Sequence, residues 1–529
     1  MEALPQRPGP LQLLTAYNSK VRRWPGALRA ALAILIPGSI ALLLGYDHAV
    51  LLISAGAFAV IYGEGHPYRT RLRVMATAAL LLLGASVGGV LVDGLLAGGL
   101  YAVTLGVLGT FVQNALRLPP PGCFFIVMVG GGSTMITGVP AWEVGLWCAV
   151  GSLTGIILGM LPAALDAHGP EKRRVLGVEQ AARAFVDEPT LAHHHQAQTA
   201  LVSAWQALSD AATIRGGRIL QPAQRDLVER TLAAQRAVAA RHVDSALLTD
   251  EPADIDPSRT VIPHTNPTAR YRLYRSATRN SQPSLAAQRV LVGGLLTVLI
   301  GLALGLNRPD WGAVSVLLVL QWGPDRVPGT IRGVQRMLGS CLGVCLFAAF
   351  HYFGVSGWTL LLALAACQYA AETFVVRNYA ICVIFSTPLA LLMGNSSFAA
   401  IEARLAEIAL SVSLALAVLW LWRPRAAAQD EQRLQARCVQ AMSTLLGSLL
   451  TTTPDAVLTT RRDLQYELLS ERRAILSLAA DGHGEPFWER HQRLRRAGYH
   501  LLDFCSLHPD RRPTEPELRE LVSAVEKSG

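Results

Sequence analysis

Hydrophobic positions in this chain fall into long unbroken runs separated by short polar breaks, a pattern too continuous for the one-sided apolar face of a soluble helix. Twelve runs stand out, near 26–45, 48–63, 71–92, 95–115, 121–139 and 142–165, and again near 288–306, 309–323, 333–352, 356–375, 378–394 and 400–422. A helix needs about 20 apolar residues to cross a bilayer core, so each run predicts a membrane span. The runs at 48–63 and 309–323 are short, which predicts little tilt or polar ends that dip into the membrane.

The two sets of runs keep nearly one offset. Leu28 to Gly45 is answered by Arg289 to Gly305, and Arg117 by Arg377. The break Gly63-Glu64-Gly65-His66-Pro67, followed by Arg69, Arg71 and Arg73, is answered by Trp322-Gly323-Pro324-Asp325, followed by Arg332 and Arg336. This reads as a duplicated membrane unit, and six spans per unit return the chain to its starting side. The predicted fold class is an all-α polytopic membrane protein with two parallel six-helix transmembrane repeats plus helical cytoplasmic regions.

Two stretches depart from the membrane pattern. Residues 170–285 carry apolar positions at helical spacing (Leu227, Leu232, Val238), then a loop rich in Asp, Pro and Thr over 249–268 and a basic lead from Arg270 to Arg279. Residues 425–529 predict a further helical domain, with turn signals at Thr451–Asp455, Asp481–Pro486 and Pro509–Pro516. The expected division is a cytoplasmic N-terminus (1–25), a first repeat (26–169), a cytoplasmic segment (170–285), a second repeat (286–424) and a C-terminal cytoplasmic domain (425–529).

Composition agrees: 51% of the 529 residues are hydrophobic and 16% charged, with a mean hydropathy of +0.33. Orientation follows from the basic flanks. Arg22 and Arg23, Arg69 to Arg73, Arg117, Lys172 to Arg174, Arg326 and Arg332, Arg377, Arg423 and Arg425 lie on one side. Asp47, Asp93, Glu143, Asp310 and Glu402 lie on the other, with Arg308 and Arg404 the basic residues there. The basic side is predicted to be cytoplasmic, with both termini on it. Met1 to Ser19 is polar and Pro-interrupted, and the first run is long with no small-residue cleavage site after it, so that run is expected to remain as a span. The net charge of +9 is explained by these loops and by anionic lipid, without a nucleic-acid partner. The pairs Arg461-Arg462, Arg472-Arg473 and Arg495-Arg496 read as a solvated face or a lipid-headgroup contact.

Candidate chemistry is sparse. Two guanidinium groups one turn apart at the start of a membrane helix, Arg332 and Arg336, suit a carboxylate or other anion, because each stays charged and offers a planar fork; the plainer reading is snorkelling to the interface. Gln321 is a candidate partner and Arg73 the first-half counterpart. Ser133 and Thr134, after Gly130-Gly131-Gly132, and Ser386 and Thr387, before Pro388, mark interruptions at similar places in the two halves. Such interruptions suit a central cavity or close helix packing. Asp325, Glu372 and Glu64 are proton-coupling candidates. The cysteines read as packing residues, and His193-His194-His195 lacks metal-site spacing and reads as a solvated helix end. No nucleotide, dinucleotide, zinc-protease or nucleophile-elbow motif occurs, so neither an enzyme, a cofactor nor a metal is expected.

The segment with Trp311, Gln321, Arg332, Arg336, Gly339 and Gly343, after an apolar helix ending at Asn307-Arg308, resembles the fusaric acid resistance family of bacterial inner-membrane proteins, which includes aromatic acid exporters. The organisation of most of the chain is similar to that family, although Thr77 stands where a second first-half arginine would answer Arg336. The six-span unit is also similar to the plant aluminium-activated malate channels. The resemblance implies an aromatic cargo moved outward across the inner membrane, and the malate-channel likeness implies an anion. The expectation is therefore a secondary transporter, with proton-coupled efflux of aromatic or amphipathic organic anions. A passive organic-anion channel and a membrane scaffold or enzyme are the alternatives. Membrane lipid and a small organic anion are the expected partners, and a homo-oligomer and a periplasmic adaptor are left open.

Overall fold

The computed structural model describes residues 4, 9–17, 23–215, 218–242, 266–323, 325–392, 398–453, 457–509 and 511–528, with 242, 392 and 398–403 described by backbone alone. Arg22, most of the loop 249–268, Pro324, Asp455 and the Glu402 side chain lie outside the described residues. Apart from a two-residue strand pair at Ile214–Arg215 and Arg218–Ile219, the regular structure is helical.

A short α1 (Pro10–Thr15) precedes α2 (Trp24–Leu43), α3 (Ala49–Ala57, prolonged by a 3-10 turn to Ile61), α4 (Tyr68–Val90), α5 (Leu95–Ala115), α6 (Phe124–Ser133) and α7 (Ala141–Met160). Polar helices follow: α8 (Gly169–Asp187), α9 (Leu191–Asp210), α10 (Arg225–His242) and α11 (Ala269–Ser276). A second apolar set runs α12 (Gln282–Ala303), α13 (Pro309–Leu320), α14 (Arg326–Tyr352), α15 (Gly357–Phe374), α16 (Tyr379–Leu392) and α17 (Phe398–Leu421). The chain ends with α18 (Ala426–Thr451), α19 (Leu458–Ala480), α20 (Glu485–Leu507) and α21 (Glu515–Glu526).

Each apolar run thus coincides with a helix, and seven helices among the described residues are long and apolar enough to cross a membrane. The run 121–139 is helical only over Phe124–Ser133, because the chain turns at Thr134. The short α13 has every one of its 12 residues buried; enclosed by α5, α6, α12, α14 and α17, it is apolar all round because it faces protein on every side. Large apolar side chains, among them Leu80, Leu108, Leu153, Ile157, Leu299, Leu342 and Leu362, point outward from the bundle. An apolar belt of that extent belongs in lipid, so this is a membrane protein.

Both halves use the same stops. Gly45 (φ 81°) ends α2 and Gly305 (φ 78°) ends α12, each 260 positions from the other. Each is followed by the same capping bond, Tyr46 N–H to the Ala41 carbonyl and Leu306 N–H to the Gly301 carbonyl, both at 2.9 Å. The pairs Gly63 and Gly323, and Gly94 and Gly354, repeat that spacing with positive φ. Packing is matched too. α2 lies against α15 and α12 against α5; within the halves α3 meets α7 as α13 meets α17, and α4 meets α6 as α14 meets α16.

The polar helices before and after the second apolar set pack into one body. Gln198 donates to Asp503 at 3.0 Å and Gln235 to Ser506 at 3.0 Å, linking α9 and α10 to α20. Two sequence expectations change here. His194 is 1% exposed and 3.1 Å from Asp503, and His195 lies 2.6 Å from the Tyr499 hydroxyl. His194 is therefore buried in a seam, whereas His193 and His195, in the first turns of α9, stay half-buried; burial pushes His195 down to about 2, so it is neutral. Likewise Arg461 and Arg495 are buried, Arg461 donating to Ser506 at 3.2 Å and Arg495 to the Leu191 carbonyl. One arginine of each pair points inward because a helix turns by about 100° per residue. This body docks on the bundle through Thr70 to the Asp210 carbonyl (3.0 Å), Arg272 to the Leu116 carbonyl (3.0 Å), and Arg117 over the Tyr466 ring (4.2 Å).

Candidate functional site

A cavity of about 290 Å³ lies at the meeting of the two apolar sets. Its apolar wall comes mainly from the first, with Phe58 and Ile61 after α3, Pro120 and Pro121 in the loop between α5 and α6, and Phe124, Phe125 and Met128 on α6. Its polar wall comes from the second, with Gln321 and Trp322 after α13, Arg332 and Arg336 on α14, Gln368 and Glu372 on α15, and Tyr379, Cys382 and Ser386 on α16. Arg23 closes one edge.

The helix phase explains the polar wall. On α14 the small residues Gly339 and Gly343 allow close crossing: a Cβ at Gly343 would sit 2.7 Å from the Ile384 carbonyl and at Gly339 2.5 Å from that of Ala380. Arg336 and Arg332, three and seven residues before Gly339, project from the neighbouring face into the space beside α16. Arg336 is 4% exposed and its Nε has no hydrogen-bond partner among the described residues; Arg332 leaves Nε and Nη2 without partners. Glu372 is 8% exposed and makes no salt bridge among the described residues. Gln321 is fully buried, its carbonyl accepting from Gln113 at 3.1 Å and Asn114 at 2.7 Å while its own Nε2 is unused.

Unused N–H groups on buried cations, with one buried carboxyl across an aromatic-walled space, have the donor chemistry that a planar anion requires. Arg332 offers a forked donor pair in Nε and Nη2, Arg336 adds its Nε, and the aromatic rings give an apolar body somewhere to rest.

Other residues singled out from the sequence lie elsewhere. Arg73 is exposed on α4, and Arg71, 5% exposed, is the arginine of that helix that turns inward. Ser133 is hydrogen-bonded to Ser86 at 3.1 Å, Thr134 to the Gly131 carbonyl at 2.7 Å, and Thr387 to the Val383 carbonyl at 2.8 Å; none lines the cavity. The interruptions are also unlike: α6 ends at Ser133, whereas α16 runs through Pro388. Glu64 is held by Arg29 at 3.1 Å and Arg23 at 3.6 Å, and Asp325 accepts from Ser477 of the docked helices. Of the three proton-coupling candidates, only Glu372 faces the cavity. Tyr379 and Arg23 complete the lining without having been singled out as site residues; a tyrosine opening an apolar helix was the available signal.

Comparison with known proteins locates the polar wall in a recognised stretch. Residues 296–418 match the fusaric acid resistance protein-like family. That stretch runs from within α12 to near the end of α17 and contains Gln321, Arg332, Arg336, Gln368, Glu372, Tyr379 and Ser386. Over nearly its full length the chain is similar to the uncharacterized membrane protein YvaC of Bacillus subtilis (strain 168), 23% identical over 575 residues that cover 95% of this chain and 88% of that protein. No solved structure matches. The fusaric acid resistance protein-like stretch thus supplies the charged side of the cavity, and the preceding apolar set supplies its aromatic side.

Proposed function

We propose that the protein is a secondary transporter of the bacterial inner membrane that exports aromatic or amphipathic carboxylates in exchange for protons, with no enzymatic role. The observation that carries this reading is the pairing of Arg332 and Arg336, with unused N–H groups, against an aromatic wall in one cavity. A carboxylate suits the arginines and an aromatic body suits Phe58, Phe124 and Phe125. The fusaric acid resistance protein-like match favours transport. Glu372 is the proposed proton carrier, since it is a buried carboxyl that faces the cavity and makes no salt bridge among the described residues.

Two parallel six-helix repeats are part of this proposal, supported by the glycine stops 260 positions apart and by the matched helix pairings. The docked helices and both termini are proposed to be cytoplasmic, as the basic flanks favour. Lipid and the organic anion are the proposed partners.

The reading is tested by the accumulation of a panel of aromatic and aliphatic carboxylates in cells with and without the protein. Lower accumulation that is lost in Arg336→Ala and on adding a protonophore is the expected result. Flux that is electrogenic and indifferent to the proton gradient would make it a channel, and no difference across the panel would remove the transport reading.

A further inference from the structure

Arg336 and Ser386 line a second space as well, about 30 Å³, on the side of the bundle away from the docked helices. Arg308, Asp310, Trp311 and Arg404 surround it. Two guanidinium groups lie over the Trp311 ring, that of Arg308 3.7 Å and that of Arg404 4.0 Å from its centroid. The two cations are not equivalent. Arg308 grips Asp310 through two bonds of 3.0 Å, whereas Arg404, 1% exposed, has no partner at Nε or Nη1 among the described residues. Glu407, three residues on, accepts the Arg308 backbone N–H at 2.7 Å through one oxygen and leaves the other unused.

A buried guanidinium with unused donors is costly inside a membrane bundle unless an anion visits it. Its neighbour Asp310 is committed to Arg308, and Arg404 lines the small space shared with Arg336.

We propose that Arg404 and Arg336 form a second carboxylate subsite, closed at its far end by Trp311 and the Arg308–Asp310 pair. This rests on the anion-transport reading above. An anion held at Arg336 reaches Arg404 without leaving the reach of a cation, because Arg336 lines both spaces. Passage outward then requires Trp311 to unstack from Arg404. Glu407 balances the charge of Arg404 when the subsite is empty.

The test uses the purified full chain in proteoliposomes, with benzoate and phenylacetate as probes and Arg404→Gln and Arg404→Lys as variants. Binding is read by quenching of tryptophan fluorescence and transport by flux of labelled probe. Arg404→Gln is expected to bind within about twofold of wild type and to transport at least about tenfold more slowly, with Arg404→Lys recovering part of the rate. Wild-type flux in Arg404→Gln overturns the subsite and leaves the first cavity's reading intact. Loss of both binding and flux in Arg404→Gln and Arg404→Lys alike assigns Arg404 a structural role and also overturns it. Absence of binding and flux in the wild-type protein overturns the anion-transport reading and the subsite together.

Discussion

Asp481 of α19 accepts the backbone N–H of Arg326 at 2.9 Å and of Val327 at 3.0 Å, so the helix that carries Arg332 and Arg336 is capped by a residue of the docked helices. Those N–H groups belong to the first turn and have no partner within their own helix. Ser477, one turn earlier on α19, donates to Asp325 at the same end. The docked body therefore fixes where α14 begins, and through it the height of the two arginines. Asp481→Ala is expected to cost about 1–2 kcal/mol of stability and to speed amide exchange at Arg326 and Val327. Asp481→Asn, which keeps one acceptor, is expected to fall between. Hydrogen exchange on the first turn of α14 checks this.

Close crossing of α14 and α16 sets the width of the cavity. A Cβ at Gly343 would meet Thr387 Cβ at 2.6 Å and the Ile384 carbonyl at 2.7 Å, neither of which is the free end of a flexible side chain. Gly343→Ala is expected to destabilise by about 1–3 kcal/mol and to lower carboxylate affinity by displacing Arg336. A thermal shift paired with a probe titration distinguishes it from Gly84→Ala, whose Cβ meets nothing within 4 Å.

Glu431 on α18, Glu471 on α19 and His491 on α20 meet in the core of the docked helices, all at most 1% exposed, with His491 Nδ1 2.7 Å from Glu471. Burial, and then the neighbouring Glu471 carboxylate, hold Glu431 well above the usual carboxylate range; burial raises Glu471 as well. Gln435 donates to one Glu431 oxygen at 3.0 Å while the other has no partner among the described residues, so Glu431 is held as the acid by burial beside a second carboxyl. A carboxyl whose folded pKa is raised contributes stability that is fully present below its ordinary range and is lost as pH rises through the raised value. The melting temperature is therefore expected to fall on going from neutral to alkaline pH. Glu431→Gln, which keeps the shape of the side chain but cannot lose a proton, is expected to reduce that fall.

Glu372→Gln removes the one proton-coupling candidate that faces the cavity. Efflux of a loaded carboxylate is expected to continue down its own gradient while losing its response to an imposed pH step. Flux assays with and without that step check this, and an unchanged response would assign proton exchange to another group.

Helix positions were legible in the sequence because length and apolarity alone set them: the runs near 26–45 and 288–306 become α2 and α12 within a few residues. The rotation of each helix was not. Arg71 and Arg73 differ by two residues, hence by about 200° around α4, and only packing against Gly63 and Gly159 determines that Arg71 is the inward one. The same limit hid the inward members of the arginine pairs at 461 and 495. Ser133 and Thr387 looked like breaks because small polar residues suit both cavities and close crossings, and here they serve crossings. Arg404 read as an outer flank and Glu407 was not singled out, although two opposite charges three residues apart within an apolar run were a signal of buried chemistry. Arg332, Arg336, Gln321, Ser386 and Glu372 converge on one cavity; buried charge in an apolar helix leaves few other places to go.

The most direct measurement is equilibrium binding of benzoate to the purified full chain in lipid nanodiscs, comparing wild type with Arg336→Ala and Arg336→Lys. Saturable binding by wild type, weakened at least about tenfold by Arg336→Ala, partly restored by Arg336→Lys and reduced by added salt, is expected of an anion site built on this guanidinium. Wild-type affinity in a folded Arg336→Ala protein would contradict it.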